Sequence, residues 1–334
     1  MCGIVGFTGS DQAAPILLDG LSKLEYRGYD SAGIAVRDGA LAPEVVKAKG
    51  RLKVLAEKTD DGKSLVGTCG IGHTRWATHG EPSEKNAHPH MSDDGNVIAV
   101  HNGIIENYQE LKLKLSKKGY TFSSQTDTEA VVKLIDYYYK KYQLGPVDAI
   151  AKTMVRVRGS YALAVMFKEY PNEIWVARKD SPMIIGTTDS GTYVASDVPA
   201  ILKYTRNVYY IGNLEMACLT PGNVDFYNLD GEQIEKELVE ITWNSEAAEK
   251  GPFVVEFWDI EENISLKDYI NKYCGVTIEV KGNDGSILKQ IISPINNIEN
   301  EILSLKEYRD YLIYQNQEQR FLPNKYLNNA TMAL

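Results

Sequence analysis

The second residue of the chain has the chemistry of a nucleophile. A cysteine directly follows the initiator methionine in the run Met1-Cys2-Gly3-Ile4-Val5-Gly6. If Met1 is removed, Cys2 carries a thiol and a free α-amine on one residue. Because an α-amine titrates near ~7.7–8.0 and a thiol near ~8.5, the amine can accept the proton of its own thiol. Nucleophile and base would then come as one unit, although a cysteine in this position can also be accidental.

Acyl transfer from an amide further needs donors for the oxyanion and groups that hold the substrate. The pair Asn102-Gly103 offers a side-chain amide beside a backbone N–H, although Asn-Gly is also a common turn pair. Arg75 suits the carboxylate of an amino acid and Asp127 suits its ammonium, with Trp76 as an apolar cover. In isolation, an arginine such as Arg75 is more often a surface charge, and an aspartate such as Asp127 is more often a helix cap.

Strands and helices must bring these residues together. Apolar runs around 66–76 and 96–105 end in polar, glycine-containing sequence, which is typical of strands that carry site loops. Residues 1–10 and the apolar run 34–36 predict further strands, and helical periodicity predicts helices over 11–26, 127–142 and 147–157. Seven short β-like runs are predicted at 161–167, 173–177, 183–186, 193–196, 208–210, 215–219 and 224–227. Many strands flanked by helices indicate stacked sheets with helices outside.

Composition excludes several classes of protein. The chain has 334 residues, 43% of them hydrophobic and 24% charged, and a net charge of −9. This balance argues against a general binder of nucleic acid or of anionic membranes. The four cysteines are scattered, without the close pairs of a zinc site, which indicates a reducing compartment. No basic leader or apolar run of spanning length is present, so a cytoplasmic location is expected.

The last part of the chain differs in composition from the rest. After Gly251, asparagine and isoleucine are frequent, and alanine occurs only at Ala330 and Ala333. We expect a domain over residues 1–250 and a small α+β tail over 251–334, with the boundary near 246–250. Strands are predicted at 253–260 and 276–280, and helices at 266–273 and 298–312. The tail is open to three interpretations: a natural docking module, a diverged remnant or a foreign segment.

Taken together, the motifs resemble one family. They are Met1-Cys2-Gly3-Ile4-Val5-Gly6, Tyr26-Arg27-Gly28-Tyr29-Asp30-Ser31-Ala32-Gly33, His73-Thr74-Arg75-Trp76-Ala77-Thr78-His79-Gly80-Glu81-Pro82, Asn86-Ala87-His88-Pro89-His90, His101-Asn102-Gly103-Ile104-Ile105-Glu106-Asn107 and Thr126-Asp127-Thr128-Glu129. In this order and approximate spacing, residues 1–250 resemble the class II glutamine amidotransferase domain of glucosamine-6-phosphate synthases, also called glutamine–fructose-6-phosphate aminotransferases. The tail shows no such resemblance.

The resemblance implies a fold, a reaction and a set of roles. The implied fold is the α+β, four-layer α/β/β/α sandwich of N-terminal-nucleophile hydrolases. The implied reaction is the hydrolysis of L-glutamine to glutamate and ammonia through a γ-glutamyl thioester, with no cofactor and no metal. The implied roles are Cys2 as nucleophile, Asn102 and Gly103 as oxyanion hole, Arg75, Thr78 and His79 for the α-carboxylate, Asp127 for the α-ammonium, Trp76 on the closing loop and Arg27 near the nucleophile. His73, His88, His90 and His101 are expected to support the site without binding metal.

The resemblance also sets expectations about partners. The segment 251–334 does not look like the sugar-phosphate isomerase portion of these synthases, so the chain alone is not expected to make glucosamine 6-phosphate. An isomerase domain acting in trans is the expected partner, and neither nucleic acid nor membrane is expected. Two alternatives stay open at this point: a non-catalytic glutamine-binding or regulatory protein on the same fold, and the glutaminase half of another amidotransferase.

Overall fold

The computed structural model describes residues 2–241 and the backbone of three further strands at 254–258, 277–281 and 287–292. The chain divides into two compact units, Met1–Ile241 and Thr242–Leu334. The predicted boundary at 246–250 lies outside the described residues, so the domain limits remain a prediction.

The first unit contains two β-sheets. In chain order its strands are β1 (Gly3–Gly9), β2 (Ser31–Arg37), β3 (Glu44–Lys49), β4 (Cys69–Arg75), β5 (His90–Met91), β6 (Val97–Ile105), β7 (Gly159–Phe167), β8 (Ile174–Lys179), β9 (Ile184–Thr188), β10 (Gly191–Ala195), β11 (Asn207–Tyr210), β12 (Glu215–Thr220), β13 (Asn223–Tyr227), β14 (Gln233–Ile234) and β15 (Val239–Glu240). Eight form one sheet in the order β15-β11-β9-β10-β1-β4-β2-β3. Seven form the other in the order β14-β13-β12-β8-β7-β6-β5.

Five helices cover the two sheets. They are α1 (Ala13–Ser22), α2 (Leu52–Lys58), α3 (Tyr108–Ser116), α4 (Thr128–Tyr142) and α5 (Pro146–Arg156). Helices α1 and α2 pack on the eight-stranded sheet, whereas α3, α4 and α5 pack on the seven-stranded sheet. A third cluster of buried side chains, including Ile4, Ile71, Val100 and Ala162, fills the space between the sheets. The expected four-layer α/β/β/α sandwich is therefore the observed architecture.

The predicted elements of the first unit are present, with some additions. Every predicted strand and helix overlaps an observed one, but β3, β5, β14, β15, α2 and α3 were not predicted. In α3 the leucines alternate at Leu111, Leu113 and Leu115, which is a strand-like spacing. Only Leu111 and Leu115 are buried, one helical turn apart, while Leu113 is 68% exposed. The helix was therefore not predicted, because the exposed Leu113 gives the sequence the alternating pattern of a strand.

The second unit is described only through three strands, β16 (Val254–Trp258), β17 (Thr277–Lys281) and β18 (Ile287–Ile292). Strand β16 runs parallel to β17, and β17 runs antiparallel to β18. Strands occur at both predicted places, and the predicted helices at 266–273 and 298–312 lie outside the described residues. Among the helices that the structure describes, none is long and apolar enough to cross a membrane.

Candidate active site

Cys2 lies at the start of β1, a central strand of the eight-stranded sheet. The neighbouring strand β4 runs antiparallel and ends at Arg75, so the thiol lies beside the Arg75–Trp76 segment. The Trp76 N–H donates to Cys2 Sγ at 3.2 Å, and Sγ lies 3.6 Å from the Trp76 carbonyl oxygen. Burial raises the pKa of the Cys2 thiol, and the Trp76 N–H and the Arg75 charge offset only part of that rise. The thiol is thus protonated at neutral pH and needs a base.

The turn before β2 holds the segment that contacts the thiol. A Cβ on Gly28 would lie 2.7 Å from the Arg75 carbonyl carbon and 2.8 Å from the Trp76 nitrogen. Only glycine therefore lets this turn approach the Arg75–Trp76 peptide so closely. The Asp30 N–H donates to the Arg75 carbonyl at 3.1 Å, and the Asp30 carboxylate accepts the Ala77 N–H. Asp30 thereby fixes the chain on the far side of Trp76.

Arg75 is 3% exposed and uses only part of its guanidinium within the protein. Its Nη2 donates to the carbonyls of His79 and Gly80, at 3.0 Å for Gly80. Its Nη1 is buried and has no hydrogen-bond partner among the described residues. A buried cationic N–H without an acceptor is costly. This arm of the fork is therefore suited to receive an anionic group of a ligand.

Asn102 contacts Cys2 from the opposite sheet. It lies on β6, and its Nδ2 donates to the Cys2 carbonyl at 2.9 Å. Its Oδ1 lies 3.0 Å from Nε2 of His73, which also lies 3.0 Å from the His101 carbonyl oxygen. Because a side-chain amide carries two N–H bonds, one remains for a second acceptor near Cys2.

The edge of β6 directs a backbone donor to the same place. The His101 N–H donates to His88 Nδ1 at 3.3 Å, and the Ile105 N–H donates to Asp127 Oδ2 at 2.8 Å. Since N–H groups alternate along a strand, the Gly103 N–H between them points to the same edge. Gly103 has a φ of +118°, and a Cβ there would lie 2.1 Å from the Ser160 carbonyl oxygen. A larger residue cannot take this position without moving the strand.

Asp127 joins helix α4 to this edge. Its Oδ1 accepts the Thr128 N–H at 3.0 Å and caps the helix, while its Oδ2 accepts the Ile105 N–H. The residue is buried. Each carboxylate oxygen can accept a further hydrogen bond, so capping does not prevent Asp127 from binding an ammonium.

One small cavity brings most of the predicted residues together. Its volume is about 10 Å³, which is room for about one water molecule. Any amino acid is larger, so the entry of one would require movement of lining residues. The cavity is lined by Cys2, Arg75, Trp76, Thr78, His88, His101, Gly103, Thr126, Asp127 and Thr128. Trp76 is 48% exposed, so it forms the solvent-facing part of this wall.

Three of the predicted residues do not line the cavity. Asn102 contacts the Cys2 carbonyl from outside the lining, and His79 and Arg27 lie beside the cavity or away from it. His79 Nδ1 is 3.3 Å from Thr78 Oγ1, and its ring packs edge-on against Tyr108. Arg27 forms an ion pair with Asp197 at 2.6 Å and does not line the cavity. Burial opposes the charge of Arg27, but the nearby Asp197 and Tyr26 raise its pKa. A role for Arg27 beside the nucleophile stays a prediction.

The four histidines of the motifs form a buried cluster. His73 stacks on His88 with ring centroids 4.1 Å apart, and His90 lies edge-on to His88 at 5.0 Å. Burial lowers the pKa of all four, to about 3 for His73. His88 and His101 lie within hydrogen-bond distance of the Thr128 hydroxyl, and His90 of the Thr126 hydroxyl. Within the described residues, no group of three His, Cys, Asp or Glu side chains could hold a metal ion.

No catalytic or binding role was predicted for Asp30, Thr126 or Thr128. All three lie inside the motifs at Tyr26–Gly33 and Thr126–Glu129. Their position within these motifs was the only available signal, because a short polar residue next to a turn or helix start is ordinarily a cap.

Comparisons with known proteins agree with this architecture. Residues 73–203 match the model of a family described as a glutamine amidotransferase domain. The isomerizing glutamine–fructose-6-phosphate aminotransferase of Clostridium acetobutylicum is 47% identical over 303 residues, 89% of this chain and 48% of that protein. The enzyme of that name from Caldanaerobacter subterraneus subsp. tengcongensis is 52% identical over 254 residues, 76% of this chain and 41% of the relative. The chain thus spans about half the length of the curated relatives that it matches.

A solved structure shows the same fold. The glutamine phosphoribosylpyrophosphate amidotransferase from B. subtilis, complexed with ADP and GMP, superposes with a TM-score of 0.59 at 26% identity, over 70% of this chain and 50% of that one. The Clostridium alignment covers more residues than 1–250 contain, so it continues into the tail. This continuation argues against a foreign origin for the whole of 251–334.

Two helix-covered sheets that face each other, together with the family match, define a class II glutamine amidotransferase domain. This chain carries that domain in the form found in the glutamine–fructose-6-phosphate aminotransferases.

Proposed function

We propose that this chain hydrolyses L-glutamine to glutamate and ammonia, with Cys2 as the nucleophile after removal of Met1. The observation that carries the proposal is the convergence of four groups on one cavity. They are the Cys2 thiol, the unpaired Nη1 of Arg75, the edge of β6 at Gly103 and the Asp127 carboxylate. A γ-amide, an α-carboxylate and an α-ammonium are the three groups that such a set can recognise together.

The α-amine of Cys2 would supply the base. Burial keeps the thiol protonated at neutral pH, so a neighbouring acceptor has to take its proton before attack. A free α-amine titrates near ~7.7–8.0 and is close enough in pKa to do so. With Met1 attached, the same nitrogen belongs to a peptide bond and has no basic lone pair. Removal of Met1 is therefore the condition for activity.

The reaction then proceeds in two halves. The thiolate attacks the side-chain amide carbon of glutamine, and the charge that develops on the amide oxygen is stabilised by the Asn102 side chain and the Gly103 N–H. The C–N bond breaks as the nitrogen takes the proton from the α-ammonium of Cys2. Ammonia departs, and a γ-glutamyl thioester remains on Cys2. Water attacks the thioester with the amine again as base, the C–S bond breaks, and glutamate leaves.

We further propose that Arg75 binds the α-carboxylate with Thr78 and His79, and that Asp127 binds the α-ammonium. Arg75 and Asp127 both line the cavity together with Thr78, whereas His79 holds Arg75 through its carbonyl. Trp76 would close over the substrate, because it is the exposed part of the wall.

The ammonia is proposed to serve glucosamine 6-phosphate synthesis. The relatives named glutamine–fructose-6-phosphate aminotransferase are about twice as long as the matched part. The consumer of ammonia would thus be a sugar-phosphate isomerase portion, supplied by the same longer protein or in trans.

Glutamate release from glutamine tests the proposal directly. The protein with Met1 removed, confirmed by its intact mass, is compared with a Cys2→Ala variant in the same preparation. We expect glutamate and ammonia in equal amounts from the first and none above background from the second. Equal rates would refute the assignment of Cys2. Glutamine binding without turnover in the processed protein would favour the regulatory alternative.

A further inference from the structure

We propose that His73 is a positioning residue of this site: as a neutral imidazole with its proton on Nε2, it fixes the Asn102 side chain with the NH₂ group toward Cys2. This inference rests on the proposed glutamine hydrolysis, because it concerns the geometry of the oxyanion hole. His73 does not line the cavity. It acts only through Asn102.

The fold holds His73 in one place. It lies in β4, paired with Ile4 of β1 on one side and with Gly33 of β2 on the other, and it is fully buried. From there its Nε2 reaches the facing sheet, 3.0 Å from the His101 carbonyl oxygen and 3.0 Å from Asn102 Oδ1. One ring nitrogen therefore contacts two consecutive residues of β6.

The position of the proton follows from the chemistry of the partners. A backbone carbonyl oxygen can only accept hydrogen bonds, so the contact with His101 requires a proton on Nε2 of His73. The same N–H then needs an acceptor in Asn102, which has to be Oδ1. The NH₂ group of Asn102 is consequently on the side of the Cys2 carbonyl, 2.9 Å away. This reasoning does not depend on a prior assignment of the amide nitrogen and oxygen of Asn102.

The surroundings keep the ring neutral. Burial lowers the pKa of His73 to about 3, and the neighbouring His101 and Arg75 would repel a charged ring. His73 Nδ1 is buried without a hydrogen-bond partner among the described residues, and the ring stacks on His88. A second ring proton would therefore have no acceptor. One tautomer serves both contacts throughout the physiological pH range.

Loss of the His73 donor has a larger effect than the loss of one hydrogen bond. Without it, the Asn102 amide can rotate by half a turn and present its oxygen to the negative charge of the transition state. Removal of one oxyanion donor lowers kcat by about 10²–10³-fold. We expect misorientation of that donor to lower kcat by a factor in the same range. It should destabilise the transition state more than it weakens glutamine binding.

The first test compares His73→Leu with His73→Gln. Leucine fills the space without a donor, whereas the glutamine amide keeps an N–H that can reach the same acceptors. We expect His73→Leu to lower kcat by about 10²-fold with KM changed by less than about threefold. His73→Gln should regain most of the lost kcat. Equal losses in both variants, or a loss confined to KM, would overturn the inference.

The second test repeats His73→Leu in an Asn102→Ala background. If His73 acts through Asn102, its substitution there should lower kcat by less than about threefold, because coupled residues are not additive. A merely structural histidine would lower kcat by the same factor in both backgrounds. His90→Leu is the matched control, since His90 is buried in the same cluster but contacts Thr126. Its effect should multiply with that of Asn102→Ala.

A third measurement does not depend on activity. Long-range ¹H–¹⁵N spectra of the folded protein report which nitrogen of His73 carries the proton. We expect the neutral Nε2–H form from pH 5 to pH 8, with the proton exchanging slowly. A proton on Nδ1, or a charged ring in this range, would overturn the inference even if His73→Leu fails to fold. Absence of glutamine hydrolysis in the processed wild-type protein would instead refute the proposed function, while the spectra would still decide the tautomer.

Discussion

Arg75→Lys is the substitution that best separates substrate recognition from loop support. The guanidinium of Arg75 is divided between two tasks. Its Nη2 holds the carbonyls of His79 and Gly80, while its buried Nη1 has no partner among the described residues. A lysine keeps the positive charge but has one ammonium on a flexible stem. It cannot hold the two carbonyls and a substrate carboxylate in the same geometry.

The expected decrease in kcat/KM follows from the loss of the hydrogen bond that Nη1 of Arg75 would donate to the substrate carboxylate. A hydrogen bond to a charged group contributes about 1.5–3 kcal/mol, and each ~1.36 kcal/mol corresponds to a factor of ten in rate. We therefore expect kcat/KM for glutamine to fall by about 10–150-fold in Arg75→Lys. Most of the change should be in KM, because the α-carboxylate lies away from the reacting bond.

The assay compares glutamine with its α-carboxamide, which lacks the carboxylate but keeps the γ-amide. The wild-type protein should strongly prefer glutamine, and Arg75→Lys should lose most of this preference. If kcat/KM falls equally for both substrates, Arg75 does not bind the α-carboxylate.

Arg37→Lys is the matched control for this assay. Arg37 is also a buried arginine that donates to backbone carbonyls, those of Leu41, Phe167 and Lys168. It lies outside the cavity lining. Its substitution should lower the melting temperature but leave the preference for glutamine unchanged. A change in substrate preference in this variant would mean that the assay responds to general destabilisation of the fold and not to binding of the α-carboxylate.

Three further predictions concern Cys2, Gly103 and the first turn of helix α4. In protein that retains Met1, alkylation of Cys2 by iodoacetamide should increase with pH around a midpoint above the ordinary pKa of a cysteine thiol, because burial raises the thiol pKa and leaves less thiolate at neutral pH. Peptide mass mapping follows the rate, and a midpoint at or below that of a free cysteine in a short peptide would contradict this. Gly103→Ala should lower the free energy of unfolding, measured in urea, by about 1–3 kcal/mol more than Gly95→Ala does. Both glycines have positive φ, but only at Gly103 would the added Cβ meet a carbonyl oxygen, that of Ser160, at 2.1 Å. Equal losses would rule out this contact as the cause. Burial opposes ionisation of Glu129, but hydrogen bonds from Lys133, Ser123 and Ser124 bring its pKa down from 4.5 to about 2. The stability that its ionisation contributes is therefore complete above pH 4.5 and disappears as the pH falls toward 2, so Glu129→Gln should lower the free energy of unfolding by about 1–3 kcal/mol at pH 7 and by less at pH 3. A loss that does not change with pH would show that ionisation of Glu129 is not its source.

The strands could be predicted because each buried strand has an apolar run that ends at a polar turn. Arg75 ends β4, as the apolar run before it predicts, whereas Asn102 lies inside β6, because that strand continues to Ile105. Strand pairing did not follow, because the partners of β1 are β4 and β10, which are far apart in the chain. The short strand β5, with two residues, has no period to detect.

The predicted site residues were those whose side-chain chemistry alone suggests a role. Asp30 and His73 act through their neighbours, and neither contact can be derived from residue type. Asp30 holds the segment around Trp76 because its carboxylate accepts the Ala77 N–H and its own N–H donates to the Arg75 carbonyl. The four histidines had the composition of a metal set, and residue type alone reveals neither their burial nor the contacts of His73 and His88 with His101.

The proposed catalytic groups share one construction that limits how they can be tested. In each, part of the hydrogen-bonding capacity of the side chain is used within the protein while the rest is left for the substrate. Asn102 uses Oδ1 on His73, Arg75 uses Nη2 on loop carbonyls, and Asp127 accepts two backbone N–H groups. An alanine at any of these positions removes the support together with the chemistry, so its kinetic effect cannot be assigned to either. Substitutions that keep the supporting bond, or double substitutions with the supporting partner, are therefore the ones that can measure catalysis in this domain.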